Sequence, residues 1–564
     1  MTGGEVMARK KFACDFETTT DPADCRVWGY GIKEIGSDKP VMIGKDIESF
    51  MLWAMKSKSD LYFHNLKFDG SFIVNWLLRN GYRYSKEPLP NTFNVLISGM
   101  GAWYMIDICL GYQGKRKLHT GIYDSLKKLP YTIERIAKAF KLELKKGSID
   151  YDKYRPIGYE PDDEEKEYIV NDVEILAQAL DIQFNQGLDK MTTGADALSD
   201  FKETITHKRF KKLFPILPLE IDADIRKAYR GGFTHLQPQY AEKTITGIVF
   251  DINSMYPAVM VNKRLPIGYP EIFYGEYEHD PEYPLFIQHI RCEFKIKDKH
   301  IPTIQIKKNP MFKANEYLTS SGGEFVDLYV TNVDLELIKD HYELMDLEYL
   351  GGYKFRDSGG IFDDYITKWN EVKMANTGAL REMAKLMLNS LYGKFASNPD
   401  VTGKEPYLND DLSNGFRVGD EEIKNPVYTA MGVFITSYAR DQVIRTAQEV
   451  YDRFVYCDTD SLHLTGTEIP EQLKDYIHPT ELGKWDLEGQ FTRGKYLRQK
   501  TYIHEYLQDD GSIKKKVTCA GMPGSVKEKV TFENFKQGFS ATGKLMPKQV
   551  PGGTVLVETE FSLK

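Results

Sequence analysis

The sequence predicts an α/β N-terminal domain on a mixed sheet, then an α+β region whose antiparallel sheet is backed by helices. Three observations carry this reading. Acidic residues stand at the ends of short apolar strands: Asp15 and Glu17 early, Asp251 midway, Asp458 and Asp460 late. A strand is followed by an amphipathic helix (Phe72, Ile73, Trp76, Leu77) in the N-terminal third. Proline and glycine clusters, at Pro215/Pro218, Pro266–Pro270, Gly351–Gly360 and Pro551-Gly552-Gly553, mark joints between units. At 564 residues, 41% hydrophobic and 28% charged, the chain can bury several cores, and about two to four domains are expected.

The first strand is Lys-Phe-Ala-Cys-Asp15-Phe-Glu17-Thr18. Alternate strand residues face the same way, so Asp15 and Glu17 project together. Two close carboxylates repel unless a cation lies between them, and hard oxygen ligands suit Mg²⁺ or Mn²⁺. Surface charge explains a lone Asp-x-Glu as well, so its companions decide. Tyr62-Phe-His64-Asn65-Leu-Lys67-Phe68-Asp69 puts a third carboxylate between a strand and a helix. Tyr168 and Asp172 are four apart on a predicted helix and share a face. Four carboxylates and a tyrosine suffice for two ions about 4 Å apart, with the tyrosine orienting an attacking water. This order resembles the signature of DEDD-type 3′→5′ exonucleases, which implies that activity here.

A second set follows. Ile-Val-Phe-Asp251-Ile252-Asn-Ser254-Met-Tyr256-Pro257 is an apolar strand ending in an acid, and Phe-Val-Tyr456-Cys457-Asp458-Thr459-Asp460-Ser-Leu-His-Leu is a strand–turn–strand with two acids at the bend. Burying three carboxylates at strand ends is costly without cations. Their expected role is to hold two ions, one acidifying a primer 3′-hydroxyl and one gripping a triphosphate. Between them, Arg381, Lys385, Asn389 and Tyr392 fall on one helical stripe, with Leu386 and Leu391 lying off it. Such a stripe offers cations to a triphosphate and a ring to a base or sugar.

The net charge of −8 conceals an uneven distribution. Residues 491–550 hold 12 Lys and Arg against 5 Asp and Glu, Phe201–Lys212 holds Lys202, Lys208, Arg209, Lys211 and Lys212 against Glu203 alone, and Lys115-Arg116-Lys117 forms a third basic run. Three separated basic stretches in an acidic chain fit a channel that tracks phosphates beside metal-binding carboxylates. Six cysteines without a CxxC pair argue against a zinc site or a disulfide framework. No apolar run approaches the roughly 20 residues of a membrane helix, and Met1 to Val6 read as an extension ahead of a second start at Met7.

The second set, with Lys385-xxx-Asn389-Ser390-Leu391-Tyr392-Gly393 between its halves, resembles the A, B and C motifs of family B DNA polymerases. The resemblance spans nearly the whole chain and is greatest to the protein-primed, strand-displacing polymerases of small Bacillus phages. Tyr229-Arg230-Gly231-Gly232, Thr436-Ser-Tyr-Ala439-Arg440 and Lys500-Thr501-Tyr502 belong to that resemblance, as does Cys457 in place of the glycine common in the wider family.

The resemblance implies an RNase H-like exonuclease domain joined to a right-handed palm, fingers and thumb. It divides the chain into exonuclease 1–192, palm 193–259, a first terminal-protein-region insertion 260–360, fingers 361–397, a second insertion 398–424, palm 425–515 and thumb 516–564. Lys354–Phe395 would be a helical hairpin, with Ile361–Val372 antiparallel to Leu380–Phe395. Asp251 and Asp460, with Ile252 beside them and Asp458 as accessory, would hold metal in one site; Asp15, Glu17, Asp69 and Asp172 would do so in the other. Lys373, Arg381 and Lys385 would bind the triphosphate, with Tyr256, Asn389 and Tyr392 lining the nucleotide pocket. Thr18, His64, Asn65 and Phe68 would hold a frayed strand. Tyr229, Arg230, Gly231, Gly232, Thr436, Arg440, Lys500 and Tyr502 would contact primer and template.

The implied cofactors are two Mg²⁺ or Mn²⁺ ions per site. The implied partners are primer-template DNA, the displaced strand, dNTPs and a terminal protein, joined as a heterodimer at initiation by an otherwise monomeric chain in the bacterial host's cytoplasm. Two other readings stand beside this one: a nuclease whose second half merely grips DNA, and a non-catalytic DNA-binding protein.

Overall fold

A computed structural model of the protein describes residues 9–307, 311–313 and 316–563, so the Met1–Val6 extension lies outside the described residues. The N-terminal sheet has eight strands and is mixed. Its first strand, Lys11–Thr18, runs antiparallel to Val27–Glu34 and parallel to Asp60–Phe63, which in turn pairs in parallel with Arg116–Asp124. Phe16 meets Phe50 and Phe63 edge-on at 4.7 and 4.9 Å, so the face opposite Asp15 and Glu17 is fixed in a core. The Asp163–Asn185 helix starts on a reciprocal Asp162/Glu165 cap. It lies directly on the sheet: a Cβ at Gly31 would sit 2.7 Å from Ile169 Cγ2. That close approach brings Tyr168 and Asp172, on the same helix, over the edge of the Lys11–Thr18 strand.

The second sheet has seven strands, every pair antiparallel. Thr244–Ile252 lies inside it, between Ser461–Thr465 and Trp485–Arg498. The Thr429–Glu449 helix backs this region and is buried around most of its circumference, which is why it reads as apolar without a clear stripe. The expected thumb boundary at 515/516 falls inside the strand Ile513–Cys519, which pairs with Thr501–Leu507 in this sheet. The change of unit therefore comes after Cys519.

The stretch 260–360, expected as the first insertion, carries a four-stranded antiparallel sheet. Its long strand Tyr342–Ser358 overruns the expected start of the helical hairpin at Lys354. Lys354 to Ser358 pair with Leu265–Phe273 instead, and the helices are Asp363–Ala375 and Ala379–Phe395, parted by Gly378 at φ 65°. Sheet pairing keeps that stretch in the strand.

The stretch 398–424, expected as the second insertion, carries the hairpin Lys404–Leu408/Asn414–Val418. Its tip is tied to two other units. Asn75 Nδ2, on the Leu66–Arg79 helix, donates to Leu412 O at 2.9 Å and Asn414 Oδ1 at 3.1 Å. Asn414 Nδ2 donates to Ser71 O at 2.8 Å and to Gln549 Oε1 at 3.2 Å. The Gly552 N–H, in the turn of the C-terminal hairpin Ser540–Val550/Gly553–Ser562, donates to Asn75 Oδ1 at 3.1 Å. Insertion, N-terminal domain and C-terminal hairpin thus close on one another through buried, satisfied amides.

All six cysteines are free and buried. Among the described residues no helix is long and apolar enough to cross a membrane.

Candidate active sites

Asp15, Glu17, Asp69, Tyr168 and Asp172 come from three separate segments and line one cavity of about 1620 Å³. Thr18, His64, Asn65 and Phe68 line it too, together with Lys404 and Phe416 from the second insertion and Leu545, Pro547 and Gln549 from the C-terminal hairpin. Burial first, and Asp172 second, push Asp15 up to about 7. Glu17 and Asp69 are driven well above the ordinary range by burial and then by Asp15. Asp69 Oδ1 and Asp172 Oδ1 are buried without a hydrogen-bond partner. Clustered, desolvated carboxylates with spare oxygens are the donor set of a hard divalent cation.

Lys146 was not anticipated from the sequence. Its ammonium pairs with Asp172 Oδ2 at 3.0 Å, and Tyr151 OH lies 2.9 Å from Tyr168 OH. Both come from a loop without periodicity, and an isolated Lys-Lys-Gly gives no signal of where it points. His64 is engaged internally, bonded to Ser125 Oγ at 3.0 Å and Tyr131 O at 2.7 Å, and burial lowers its pKa. It shapes the wall of the cavity. Asn65 takes a left-handed φ of 71°, and its backbone N–H reaches Asp124 Oδ1 at 3.0 Å, setting the sharp turn into the helix that carries Phe68 and Asp69.

At the second site, the register Asp251↔Ser461 places Asp251 across from the Asp458-Thr459-Asp460 turn, and the Ile252 N–H donates to Asp460 O at 2.8 Å. Thr459 sits at φ 65°, its N–H held by Phe233 O at 2.7 Å. Gly232 must be glycine here, because a Cβ would come within 2.7 Å of the Thr459 side chain. That contact is how the Tyr229-Arg230-Gly231-Gly232 loop reaches the acidic turn.

The three aspartates are not equivalent. Asp458 receives Lys500 Nζ at 2.7 and 3.0 Å, Thr234 Oγ1 at 3.1 Å and Tyr456 OH at 3.3 Å. Asp251 forms no ion pair among the described residues: burial, then Asp460, Glu488 and Asp486, push it up to about 7 against a smaller opposing pull from Lys516. Burial raises Asp460 as well. Asp486 stands directly opposite Asp251 across the strand pair, and Glu488 and Lys516 line the same cavity. None of these three was expected, because strand pairing, not sequence spacing, brings them in. Among the described residues no three His, Cys, Asp or Glu side chains converge on one point in this arrangement. Lys146 and Lys500 each engage one carboxylate of its site.

Lys373, Arg381 and Lys385 gather from both helices of the hairpin. The Lys373 ammonium donates to Ser254 Oγ at 3.1 Å, and its pKa is lowered by burial and then by Arg381 and Lys385. Arg381 Nη1 donates to Lys373 O at 2.7 Å, while Lys385 pairs with Glu382 at 2.7 Å. Cations held together at such a cost suit a polyphosphate. Beside them Tyr256 and Tyr392 stack at 4.0 Å, and Asn389 is exposed at the next turn of the stripe.

Two expected DNA contacts have other engagements. Thr436 is 1% exposed and bonds back to Gly432 O and Val433 O of its own helix. Arg440 forks onto Asp334 at 2.7 and 2.9 Å and donates to the carbonyls of Arg230 and Gly231. It positions the glycine loop. Tyr502 stacks among Tyr456, His463 and Tyr496 beneath the carboxylates.

A family profile described as DNA polymerase type B, organellar and viral, matches residues 51–479. The chain belongs to this family. It is 60% identical to the DNA polymerase of Bacillus phage Nf and 57% identical to that of Bacillus phage phi29, in each case over 99% of this chain and 100% of the relative. The DNA polymerase of Streptococcus phage Cp-1 is 36% identical over 98% of each chain. The structure of phi29 DNA polymerase with primer-template DNA and incoming nucleotide substrates superimposes at a TM-score of 0.96, covering 99% of this chain and 100% of that one at 57% identity. The protein is a DNA-directed DNA polymerase of the phi29-like Bacillus phage type. Its mixed N-terminal sheet and antiparallel second sheet are the two units of that fold, and the readings as a nuclease with a DNA-gripping half or as a non-catalytic binder are set aside.

Family B polymerases use divalent metal, and the carboxylates fit it. Protons and cations compete for the same oxygens. A carboxylate raised in the folded chain gives stability that is present below its unfolded value and lost as pH rises through about 7. The polymerase should therefore gain more melting temperature from Mg²⁺ at pH 8 than at pH 6. The Mg²⁺ needed for half-maximal extension should rise up to about tenfold for each pH unit below 7, as expected when one proton is displaced. A metal requirement that is flat from pH 6 to 8 would place the binding oxygens elsewhere.

Proposed function

We propose that this phage polymerase starts synthesis on a terminal protein, displaces the strand ahead of it and proofreads from a second site. The observation that carries the proposal is the pairing of two desolvated carboxylate clusters in one chain, Asp251/Asp458/Asp460 and Asp15/Glu17/Asp69/Asp172, each with a lysine on one member.

In the polymerizing site Asp251 and Asp460, with the Ile252 backbone between them, would hold two Mg²⁺ or Mn²⁺ ions. The ions supply charge neutralisation and a lowered pKa for the primer 3′-hydroxyl. Lys373, Arg381 and Lys385 take the triphosphate. Tyr256, Asn389 and Tyr392 shape the base and sugar pocket. Lys500 and Tyr502 hold the primer end, and the Tyr229–Gly232 loop, braced by Arg440, carries the DNA between sites. Attack by the 3′-oxygen on the α-phosphorus forms the new ester and expels pyrophosphate.

In the other site Tyr168, supported by Tyr151, orients a water against the terminal phosphodiester. Lys146 lies where it can neutralise the charge that develops on the phosphate. Thr18, Asn65 and Phe68 grip the frayed end, and His64 shapes the wall behind it.

The division into exonuclease, palm, two insertions, fingers and thumb carries over with the thumb beginning after Cys519. A terminal protein offering a Ser, Thr or Tyr hydroxyl is the partner at initiation, forming a heterodimer in the cytoplasm of the bacterial host. Incubating the enzyme with candidate terminal protein, Mg²⁺ or Mn²⁺ and labelled dATP should yield a covalent protein–nucleotide adduct. No adduct, from an enzyme that extends ordinary primers, would remove protein priming and leave polymerization standing.

A further inference from the structure

The helix His207–Leu213 is charged beyond anything its packing requires. Phe210 faces inward, while Lys208, Arg209, Lys211 and Lys212 are all exposed. Among the described residues none of these four forms an ion pair, nor do the neighbouring Lys202 and Lys394. Lys202 Nζ lies over the Phe210 ring at 4.7 Å. The Lys394 ammonium is disfavoured first by burial and then by Lys202. Cations set together without an acid between them repel, and that repulsion is relieved when an anion arrives.

The place of this helix is specific. Phe210 and Phe214 pack on Phe395 at 6.4 and 5.1 Å, and Phe214 meets Tyr428 at 5.6 Å. Phe395 and Tyr428 are the two feet of the second insertion, joined by a 3.3 Å bond from Tyr428 N–H to Phe395 O. Arg226 clamps the same feet, donating to Ala396 O, Ser397 O and Thr429 Oγ1. The far end of the insertion is fastened at Asn75 and Gln549. The insertion is therefore an arch anchored at both ends, and the basic helix lies against its base. A duplex opened at an arch sends one strand through and sheds the other at its foot.

We propose that the exposed cations of His207–Leu213 bind the phosphate backbone of the displaced strand. The inference rests on the proposed strand displacement and takes the second insertion, the arch above this helix, as the element that parts the duplex. Lysine and arginine without an exposed Phe, Tyr or Trp on the same helix give sequence-independent backbone contacts. In a chain of net charge −8, such a patch decides where a loose polyanion can settle.

The test compares wild type with a variant combining Lys208→Ala, Arg209→Ala, Lys211→Ala and Lys212→Ala. One substrate is a primed single-stranded template, and the other carries a downstream duplex with a 5′ flap. The variant should match wild type on the open template. On the duplex it should slow about tenfold at 0.2 M salt, with the salt slope of flap binding reduced by about 3, as four lost single-strand phosphate contacts imply. Equal loss on both substrates would mean that the helix grips template, and unchanged displacement would mean solvated surface charge; either overturns the proposal. A wild type that halts at the duplex would defeat the strand-displacement reading itself, and this inference with it. Should the variant fail to fold, photo-crosslinking of wild type to a flap bearing a photoreactive base decides: adducts within residues 207–213 are expected, and adducts confined elsewhere refute it.

Discussion

Asp460→Ala is expected to cut primer extension by about a thousandfold or more, a loss of about 4 kcal/mol of transition-state stabilisation, while leaving 3′ degradation intact. The argument lies in how the sheet places this residue. Asp460 follows a left-handed Thr459 in a turn whose backbone is bonded to Ile252 on one side and, through Thr459, to Phe233 on the other. Its charge raises Asp251, and among the described residues it forms no ion pair. Removing either leaves the other without its partner in holding metal, so Asp251→Ala should be as severe. Asp458→Ala should be milder and of a different kind. It frees Lys500 and removes the acceptor of Thr234 and Tyr456, so the apparent affinity for primer should fall more than the rate of the chemical step. Single-nucleotide extension under saturating dNTP, with degradation of the same labelled strand in parallel, separates these effects. Extension that survives Asp460→Ala would sink the assignment of this site.

Much of this arrangement was legible in the sequence because strand periodicity and helix spacing fix which way short segments face. Asp15 and Glu17 share a strand face, Tyr168 and Asp172 a helix face, and Arg381, Lys385, Asn389 and Tyr392 a stripe; the structure keeps each set together. The missing residues are those delivered by tertiary register. Asp486 meets Asp251 only because Trp485–Arg498 pairs with Thr244–Ile252 at that offset. Lys146 enters from a loop that no local pattern describes. The hairpin expected from Lys354 begins later, at Asp363, because Lys354–Ser358 pair with Leu265–Phe273, and no local pattern announces that pairing. Thr436 and Arg440 show a different limit. A motif tells which residues belong together without telling which touch the ligand, and here Arg440 acts through Asp334 and the glycine loop.

Asp15→Ala combined with Glu17→Ala should abolish 3′ degradation, by about a thousandfold or more, with extension of a correctly paired primer nearly unchanged. The two sites share no side chain. Asp15 and Glu17 stand on a strand of the N-terminal sheet, whose core at Phe16, Phe50 and Phe63 faces away from the cavity and is left untouched. The double substitution also removes two carboxylates that burial and mutual repulsion hold above their ordinary range. At neutral pH without metal, the variant should therefore melt at a higher temperature than wild type, because each raised pKa is stability lost above it. That second readout distinguishes a functional cluster from a structural one. Carboxylates that held the fold together would lower the melting temperature on removal; carboxylates kept for metal and phosphate chemistry raise it. Equal loss of degradation and extension would show that the sites are not separable. A drop in melting temperature would show that Asp15 and Glu17 serve the sheet before they serve catalysis.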